Sequence, residues 1–174
     1  TRIYQEIVPA IEAALLKEGI RFTGLLFIGF LIENDIPYVL EFNTRFGDPE
    51  TEALIPLLAS DLAVIFEKAM DGTLSADDFS YHDGVCMGVV ATAIGYPGAF
   101  EKGLALPPLH KLSDEIVVFH NGTAKKGENY TINGGRVLTF ITLQNDLKTC
   151  REVLYNEIDS LELSGLQYRS DIGR

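Results

Sequence analysis

Three polar residues at alternate positions, Glu41, Asn43 and Arg45, form the part of the sequence best suited to chemistry. Side chains in a β-strand alternate between its two faces, so an extended segment would place all three on one side, with Cα atoms about 6.6 Å apart. A carboxylate and an amide oxygen are suitable ligands for a hard cation such as Mg²⁺, with water and substrate phosphates completing the coordination. The Arg45 guanidinium could hold a phosphate or a carboxylate through two parallel hydrogen bonds. The same spacing also fits a strand face that is merely solvated, and the spacing alone leaves both interpretations open.

The residues that follow predict a turn and the start of a helix. Gly47 allows a backbone conformation that other residues resist, and Asp48 with the next residue, Pro49, fits an N-cap followed by proline at the first helical position. Glu50 and Glu52 would then complement the positive end of the helix dipole. Asp48 therefore has two interpretations, a site residue or a helix cap with no further role.

A pair of strands is predicted to position Glu41 and Asn43. Residues 22–32 are apolar on both faces, which predicts a buried strand, and residues 38–43 predict a second strand. The polar residues 33–35 form a turn between them. The two strands should therefore make a hairpin.

Two helices are predicted to flank this hairpin. Apolar residues at helical spacing over residues 4–18 predict the first helix, which Gly19 would end. Pro9 lies within that pattern, so the helix either begins near Pro9 or is kinked in its first turn. The second helix is predicted over residues 49–70, with a bend at Pro56.

The acidic and glycine-containing residues 71–84 mark a predicted boundary between two domains, residues 1–80 and residues 81–174. Beyond it, short strands and turns alternate and a helix over residues 147–161 closes the chain. The strands are predicted at residues 85–93, 115–121, 130–132 and 136–143, with turns at residues 95–98 and 133–135. The chain is thus predicted to be α+β, with a small mixed β-rich domain at its C-terminal end.

The composition argues against several classes of protein. The 174 residues include 25 acidic and 14 basic side chains, a formal net charge of −11, which disfavours a nucleic-acid-binding protein. The longest uncharged apolar stretch, residues 23–32, is too short for a membrane span, and we expect no secretory signal. Cys86 and Cys150 have no Cys or metal-spaced His beside them, so we expect neither a disulfide nor a zinc site, and a reducing, cytoplasmic environment.

Longer stretches of the sequence resemble a known family. Leu-Glu-Phe-Asn-Thr-Arg-Phe-Gly-Asp-Pro-Glu-Thr-Glu at residues 40–52, followed by Ala-Leu-Ile-Pro-Leu-Leu, is similar to the signature of the phosphoribosylamine–glycine ligases of the ATP-grasp superfamily. Further blocks that resemble the family follow in order: Gly-Tyr-Pro-Gly at residues 95–98, Asn-Gly-Gly-Arg-Val-Leu at 133–138 and Tyr-Arg-Ser-Asp-Ile-Gly at 168–173. The resemblance covers nearly the whole chain.

The resemblance implies a fold and a reaction. Residues 1–80 would be the C-terminal half of an ATP-grasp domain, an antiparallel sheet with helices, and residues 81–174 the C-terminal domain of the ligase. The implied reaction is the ATP-dependent ligation of glycine to 5-phosphoribosylamine in purine biosynthesis, with ATP as co-substrate and Mg²⁺ or Mn²⁺ as cofactor. From the composition we expect neither a nucleic acid nor a membrane as a partner.

The resemblance also implies roles for residues of the first block. Glu41 and Asn43 match the family's metal ligands. Arg45 and Asp48 are expected to act on the reacting groups, and Glu50 is expected to join them in facing the glycine and phosphoribosylamine pocket.

A further implied site lies near the end of the chain. Arg136 is expected to contact the ribose phosphate, and it would be presented by a turn of Gly134 and Gly135 whose backbone amides can approach an anion. The alternative is a β-hairpin turn of the Asn-Gly type with a solvated arginine.

Members of this family are considerably longer than 174 residues. We therefore expect this chain to be a C-terminal half, inactive alone and completed by the N-terminal half of the same enzyme. Two other hypotheses stay open: a non-catalytic binding module that kept the ATP-grasp scaffold, and a sister ligase acting on another purine intermediate.

Overall fold

The computed structural model describes residues 2–174, which divide into two compact units. The first unit contains the described residues up to Gly47 together with Ser60–Phe79, and the second contains Asp48–Ala59 together with Ser80–Arg174. The predicted domain division falls at residue 80, next to the change of unit after Phe79, whereas Asp48–Ala59 joins the second unit instead of the first. No helix among residues 2–174 combines the length and the apolar character that a membrane span requires.

The first unit contains the predicted hairpin. Strands β1 (Phe27–Glu33) and β2 (Ile36–Asn43) pair antiparallel. The two residues between them, Asn34 and Asp35, have φ values of 50° and 62°. Left-handed residues at both central positions suit a two-residue hairpin turn, because its twist matches that of the strands. The hairpin and its turn are confirmed.

The predicted burial of the first strand is wrong. β1 begins five residues later than predicted, and Leu31 and Ile32 are 54% and 62% exposed. Among the described residues, the two strands form a sheet of their own with no third strand. A two-stranded sheet cannot cover both of its own faces. Apolar residues of β1 are therefore exposed in this unit although their sequence predicts burial.

The first helix resolves the two interpretations of Pro9. Helix α1 (Val8–Lys17) follows a π-helical turn, Ile3–Ile7, and carries Pro9 in its first turn. Proline is tolerated there, because the first amides of a helix have no intrahelical partner. Gly19, with a φ of 69°, lies just beyond the end of α1, as predicted.

The single long helix predicted over residues 49–70 is wrong, because the chain forms two. Helix α2 (Glu50–Leu57) is followed by Leu58 in extended conformation, which bridges to Tyr81, and helix α3 (Leu62–Asp71) then begins. The Asp61 carboxylate caps α3 by accepting from the backbone N–H of Ala63 at 2.8 Å. A strand-like pairing with distant residues therefore interrupts the helix.

The second unit is built on a four-stranded antiparallel sheet. Its strand order is β4-β7-β3-β8, and two further strands, β5 and β6, pair separately. The strands are β3 (Val85–Ala93), β4 (Val117–His120), β5 (Thr123–Lys126), β6 (Asn129–Ile132), β7 (Arg136–Gln144) and β8 (Leu166–Tyr168). The sequence predicted neither β5 nor β8. The alternative of a β-hairpin across residues 133–135 is wrong, because β6 and β7 belong to different sheets.

The hydrophobic core lies in this second unit. Alternate residues of β3 are buried, and helix α4 (Leu147–Asp159) buries Cys150, Leu154 and Ile158, which share one face of a helix. The central strand β7 is buried along most of its length on both faces. Arg136 is the first residue of β7, so its backbone belongs to this well-buried sheet.

Candidate functional site

Glu41 and Asn43 occupy the end of β2 in the first unit. They pair with Gly29 and Phe27 of β1, and the register is regular between these two pairs; its one irregularity lies between Gly29 and Phe30. Side chains two residues apart on a regular strand share a face. The structure thus brings the two oxygen ligands to one face of the strand, while their role as metal ligands stays a prediction.

The residue opposite Glu41 has no side chain, and this leaves room for the glutamate. A Cβ placed on Gly29 would lie 3.1 Å from Cγ and 3.7 Å from Oε1 of Glu41. The Glu41 side chain therefore lies across Gly29, while Glu41 as a whole is exposed and Asn43 is partly buried.

The donor set fits Mg²⁺ or Mn²⁺ better than zinc. Glu41 and Asn43 offer two oxygen atoms, and Mg²⁺ typically takes one or two protein ligands and keeps waters or substrate phosphates for its other positions. The described residues contain no group of three or more His, Cys, Asp or Glu side chains that could hold a metal. β1 contributes no acid opposite the pair, since its partners there are Gly29 and Phe27.

Arg45 lies outside the regular strand. β2 ends at Asn43, and the alternation that would place Arg45 on the face of Glu41 does not extend to it. Its Nη1 instead donates to the backbone carbonyl of the next residue, Phe46, at 2.7 Å. The Phe46 ring packs near the Phe66 ring, with centroids 6.2 Å apart.

Asp48 and Arg136 are brought together in the second unit, although 88 residues separate them. Arg136 Nη1 donates to the Asp48 carbonyl oxygen at 2.7 Å, and Nη2 donates to Asp48 Oδ2 at 2.9 Å. The predicted N-cap role of Asp48 is wrong, because the N-cap residue of α2 is Pro49. β7 fixes the backbone of Arg136, and Arg136 in turn holds the chain at the start of α2.

This ion pair lies at the wall of a cavity of about 480 Å³ in the second unit. Such a volume is typical of sites for small molecules. The residues that line it are Asp48, Glu52, Tyr96, Phe119, His120, Asn121, Gly122, Gly135 and Arg136. Burial lowers the pKa of His120 below its ordinary value, so His120 is neutral at pH 7 and Arg136 supplies the positive charge of this lining.

The two glycines before Arg136 serve close packing. The Gly134 N–H donates to the Gly122 carbonyl at 2.8 Å, so it is already engaged and does not point at an anion. A Cβ on Gly135 would lie 2.1 Å from Cδ2 of Tyr96, which means that the Tyr96 ring lies directly on this glycine. Close packing thus accounts for both glycines without a bound ligand.

Glu50 does not line this cavity. It is exposed in the first turn of α2.

Glu52 and Asn121 are cavity residues for which the sequence predicted no site role. Asn121 Nδ2 donates to Thr139 Oγ1 at 3.0 Å and, at 3.4 Å, to Glu52 Oε1. Glu52 Oε2 is buried and receives no hydrogen bond from any described residue. No local sequence pattern could have linked these residues, because their proximity depends on how α2 packs in the second unit.

Family models match both parts of the chain. Residues 86–174 match the C domain of phosphoribosylglycinamide synthetase, and residues 1–51 match the ATP-grasp (A) domain of the same enzyme. The chain belongs to the phosphoribosylglycinamide synthetase family. The resemblance that the sequence carries is confirmed.

Individual relatives agree with this family. A protein of Halalkalibacterium halodurans named phosphoribosylamine–glycine ligase is 39% identical over 168 residues, covering 97% of this chain and 39% of its own length. The crystal structure of the phosphoribosylamine–glycine ligase of Thermotoga maritima matches with 31% identity and a TM-score of 0.75, over 91% of this chain and 39% of that one. This chain spans about 40% of the length of the curated relatives it matches.

A more distant likeness concerns the fold alone. The biotin carboxylase domain of the 2-oxoglutarate carboxylase of Hydrogenobacter thermophilus matches with a TM-score of 0.62 at 17% identity, over 97% of this chain and 38% of that one. The expected α+β fold of the ATP-grasp type is confirmed by this likeness and by the Thermotoga maritima structure.

Residues 168–173, the last block that resembles the synthetase family, accept hydrogen bonds from side chains of α4. The Arg151 guanidinium donates to the Ile172 carbonyl, and the Tyr155 hydroxyl donates to the Arg169 carbonyl at 2.6 Å. Within the block, a hydrogen bond from Arg169 lowers the pKa of Asp171 to about 2. These contacts position the segment at a second cavity of about 510 Å³, which shares Tyr96 and Arg136 with the first.

Proposed function

We propose that the protein containing this chain catalyses the ATP-dependent ligation of glycine to 5-phosphoribosylamine, giving glycinamide ribonucleotide, ADP and phosphate. It would thus be a carbon–nitrogen ligase of purine biosynthesis. The observation that carries this proposal is the 39% identity over 97% of the chain to a relative named for that reaction. The remainder of the relatives' length, which includes the N-terminal half expected from the sequence, would complete the enzyme. The two cysteines are free thiols, which suits a cytoplasmic location.

Glu41 and Asn43 would hold the divalent cation. Bound there, Mg²⁺ or Mn²⁺ would neutralise charge on the phosphate oxygens of ATP. The glutamate provides the negative charge and the asparagine a neutral oxygen, so the pair binds a cation without cancelling all of its charge. Gly29 gives the glutamate the space in which it lies.

Asp48 and Arg136 would bind the phosphoribosylamine. A guanidinium has five N–H donors, and the two that contact Asp48 leave others for the phosphate of the substrate. The Asp48 carboxylate would accept from the substrate amine. The side chains are 51% and 37% exposed, so the ion pair is weakly held and can rearrange around a ligand at little cost.

The cavity offers carboxylates, an amide and a guanidinium. These groups would orient the substrates by hydrogen bonds, and the guanidinium would neutralise phosphate charge. Ligation through an activated carboxylate needs alignment of the two substrates and stabilisation of phosphoryl charge, more than a protein nucleophile. Arg45 and Glu50 are further proposed substrate residues, on the resemblance alone.

The proposal is tested by Glu41→Gln in the full natural polypeptide that carries this sequence. Formation of glycinamide ribonucleotide and ADP is measured while Mg²⁺ is titrated. We expect activity to fall by about a hundredfold or more, because the variant loses the charged ligand. Glu33→Gln, the same change at the far end of the hairpin, is the control and should leave activity intact. A wild-type protein that forms no product, or a Glu41→Gln variant with normal Mg²⁺ dependence, would contradict the proposal.

A further inference from the structure

We infer that Glu52 is an additional substrate-binding residue, whose carboxylate accepts hydrogen bonds from the ring hydroxyls of a sugar phosphate held at Arg136. The inference rests on the proposed function, because it identifies a further contact in the cavity assigned there to the phosphoribosyl substrate. It goes beyond that assignment by giving a role to a residue in the first turn of α2.

The first argument is the incomplete hydrogen bonding of the Glu52 carboxylate. An ionised carboxylate accepts about four hydrogen bonds, and leaving a buried oxygen without a donor is costly. Among the described residues Glu52 Oε2 is buried without a donor, and the contact from Asn121 to Oε1 is long, at 3.4 Å. Since Glu52 lines the cavity, a rotation of its carboxylate would bring Oε2 to hydrogen-bond donors on a bound ligand.

The second argument is that the hydrogen-bond donor beside the Glu52 carboxylate is held in place. Asn121 is anchored by its 3.0 Å hydrogen bond to Thr139 Oγ1, and Thr139 is a buried residue of the central strand β7. Asn121 therefore provides a fixed donor on one side of the carboxylate. The oxygen that Asn121 does not contact, Oε2, is buried without a donor among the described residues, so the carboxylate can turn toward the cavity and gain one from a ligand.

The third argument concerns which ligand would fit. The cavity contains the Arg136 guanidinium, which suits an anion, and the carboxylates of Asp48 and Glu52, which accept hydrogen bonds. A ligand that carries one anionic group and several neutral donors satisfies both requirements. A phosphorylated pentose is such a ligand, and an acidic side chain that accepts from ribose hydroxyls is a known mode of sugar recognition. The volume of about 480 Å³ accommodates it.

The test uses three probes titrated calorimetrically into the full natural polypeptide: ribose 5-phosphate, 2,3-dideoxyribose 5-phosphate and inorganic phosphate. The wild type should prefer ribose 5-phosphate over the dideoxy sugar by at least about tenfold, since each hydrogen bond to a charged acceptor is worth about that factor or more. Glu52→Gln should lose this preference and leave the affinities for the dideoxy sugar and for phosphate unchanged. Glu128→Gln, an exposed residue between β5 and β6 that does not line the cavity, is the matched control.

Three outcomes would overturn the inference. A wild type that does not distinguish the two sugars makes no contact with the ring hydroxyls. A Glu52→Gln variant that retains the preference for ribose 5-phosphate shows that another residue causes it. Equal weakening for all three probes would show that Glu52 only shapes the cavity. If Glu52→Gln unfolds, Glu52→Asp, which keeps the charge but withdraws the carboxylate by one methylene, must reduce the preference. Loss of the sugar preference in a protein without ligase activity would support Glu52 and refute the proposed reaction.

Discussion

Gly29→Ala should move the Glu41 carboxylate without unfolding the hairpin. The new Cβ would lie 3.1 Å from Glu41 Cγ, while carbon atoms in good contact are about 3.5–4.0 Å apart, so the glutamate must shift by about 0.4–0.9 Å. Gly29 is not among the residues with a left-handed φ, so alanine is compatible with its backbone. We therefore expect the unfolding free energy to change by less than about 1 kcal/mol.

The same shift should matter for the cation. Mg²⁺ requires near-octahedral geometry with ligand distances defined to about 0.2 Å, so a displacement of several tenths of an ångström disturbs it. We expect the Mg²⁺ concentration for half-maximal ligase activity to rise by about tenfold, as is typical when a residue that supports a metal ligand is changed. The assay is a Mg²⁺ titration of product formation in the full natural polypeptide, with urea denaturation of the same samples.

Ile28→Val is the control for this prediction, because Ile28 is adjacent on β1 and its side chain lies on the opposite face. It should leave the Mg²⁺ dependence unchanged. The reasoning is refuted if Gly29→Ala binds Mg²⁺ normally while Glu41→Gln does not, since the glutamate would then tolerate the displacement. An equal loss in Ile28→Val would mean that any disturbance of the strand has the same effect.

Three further predictions concern the second unit and its core. Leu154→Ala should lower the free energy of unfolding, measured in urea, by about 2–5 kcal/mol because Leu154 is fully buried. The control, Leu16→Ala at an exposed position of α1, should lower it by less than about 0.5 kcal/mol, and similar losses in the two variants would contradict the assigned core. Burial raises the pKa of Cys86 to about 11, so its labelling by a thiol reagent should be slow at pH 8 and continue to accelerate up to about pH 11, and a plateau near pH 9 would refute this. The hydrogen bond to Asp159 raises the pKa of Tyr168 from 10.0 to about 12, so the folded state keeps a proton that the unfolded state releases. Stability should therefore fall as pH rises from about 10 to about 12. Tyr168→Phe should make that fall smaller in denaturation curves, and Cys86, whose pKa is also raised, accounts for part of what remains; an unchanged fall in Tyr168→Phe would refute the assignment.

The parts of the fold that sequence patterns predicted are those with a strong local signal. The strand predicted at residues 85–93 is observed as Val85–Ala93, and its alternating burial explains why the period of two was visible. Helix α4 begins at its predicted residue for the same kind of reason, since its buried residues share one face. The hairpin turn was marked by two residues that tolerate a left-handed backbone.

The parts that failed depend on contacts between distant residues. The helix predicted over residues 49–70 is interrupted where Leu58 pairs with Tyr81. The one local sign of the break is Asp61, which caps α3. The short strands β5 and β8 have only four and three residues, too few for a recognisable period.

The candidate site shows the same limit. The sequence selected Asp48 and Arg136 separately, but only the structure shows that one accepts two hydrogen bonds from the other. It assigned Glu52 to the helix dipole, because nothing near residue 52 indicates that Asn121 lies beside it. Contacts between residues that are distant in the sequence cannot be predicted from the spacing of neighbouring residues.

The second unit is discontinuous in sequence, since Asp48–Ala59 is inserted between two stretches of the first. Cutting the protein at the apparent linker near residue 80 would consequently remove part of the second unit as well as the first. A truncated polypeptide that starts there would keep the four-stranded sheet but lose α2, and Arg136 would lose the carboxylate it binds. The residues of this unit are not contiguous in the sequence. Any isolated version of the unit must therefore include residues 48–59, either fused to residues 80–174 or added as a separate peptide.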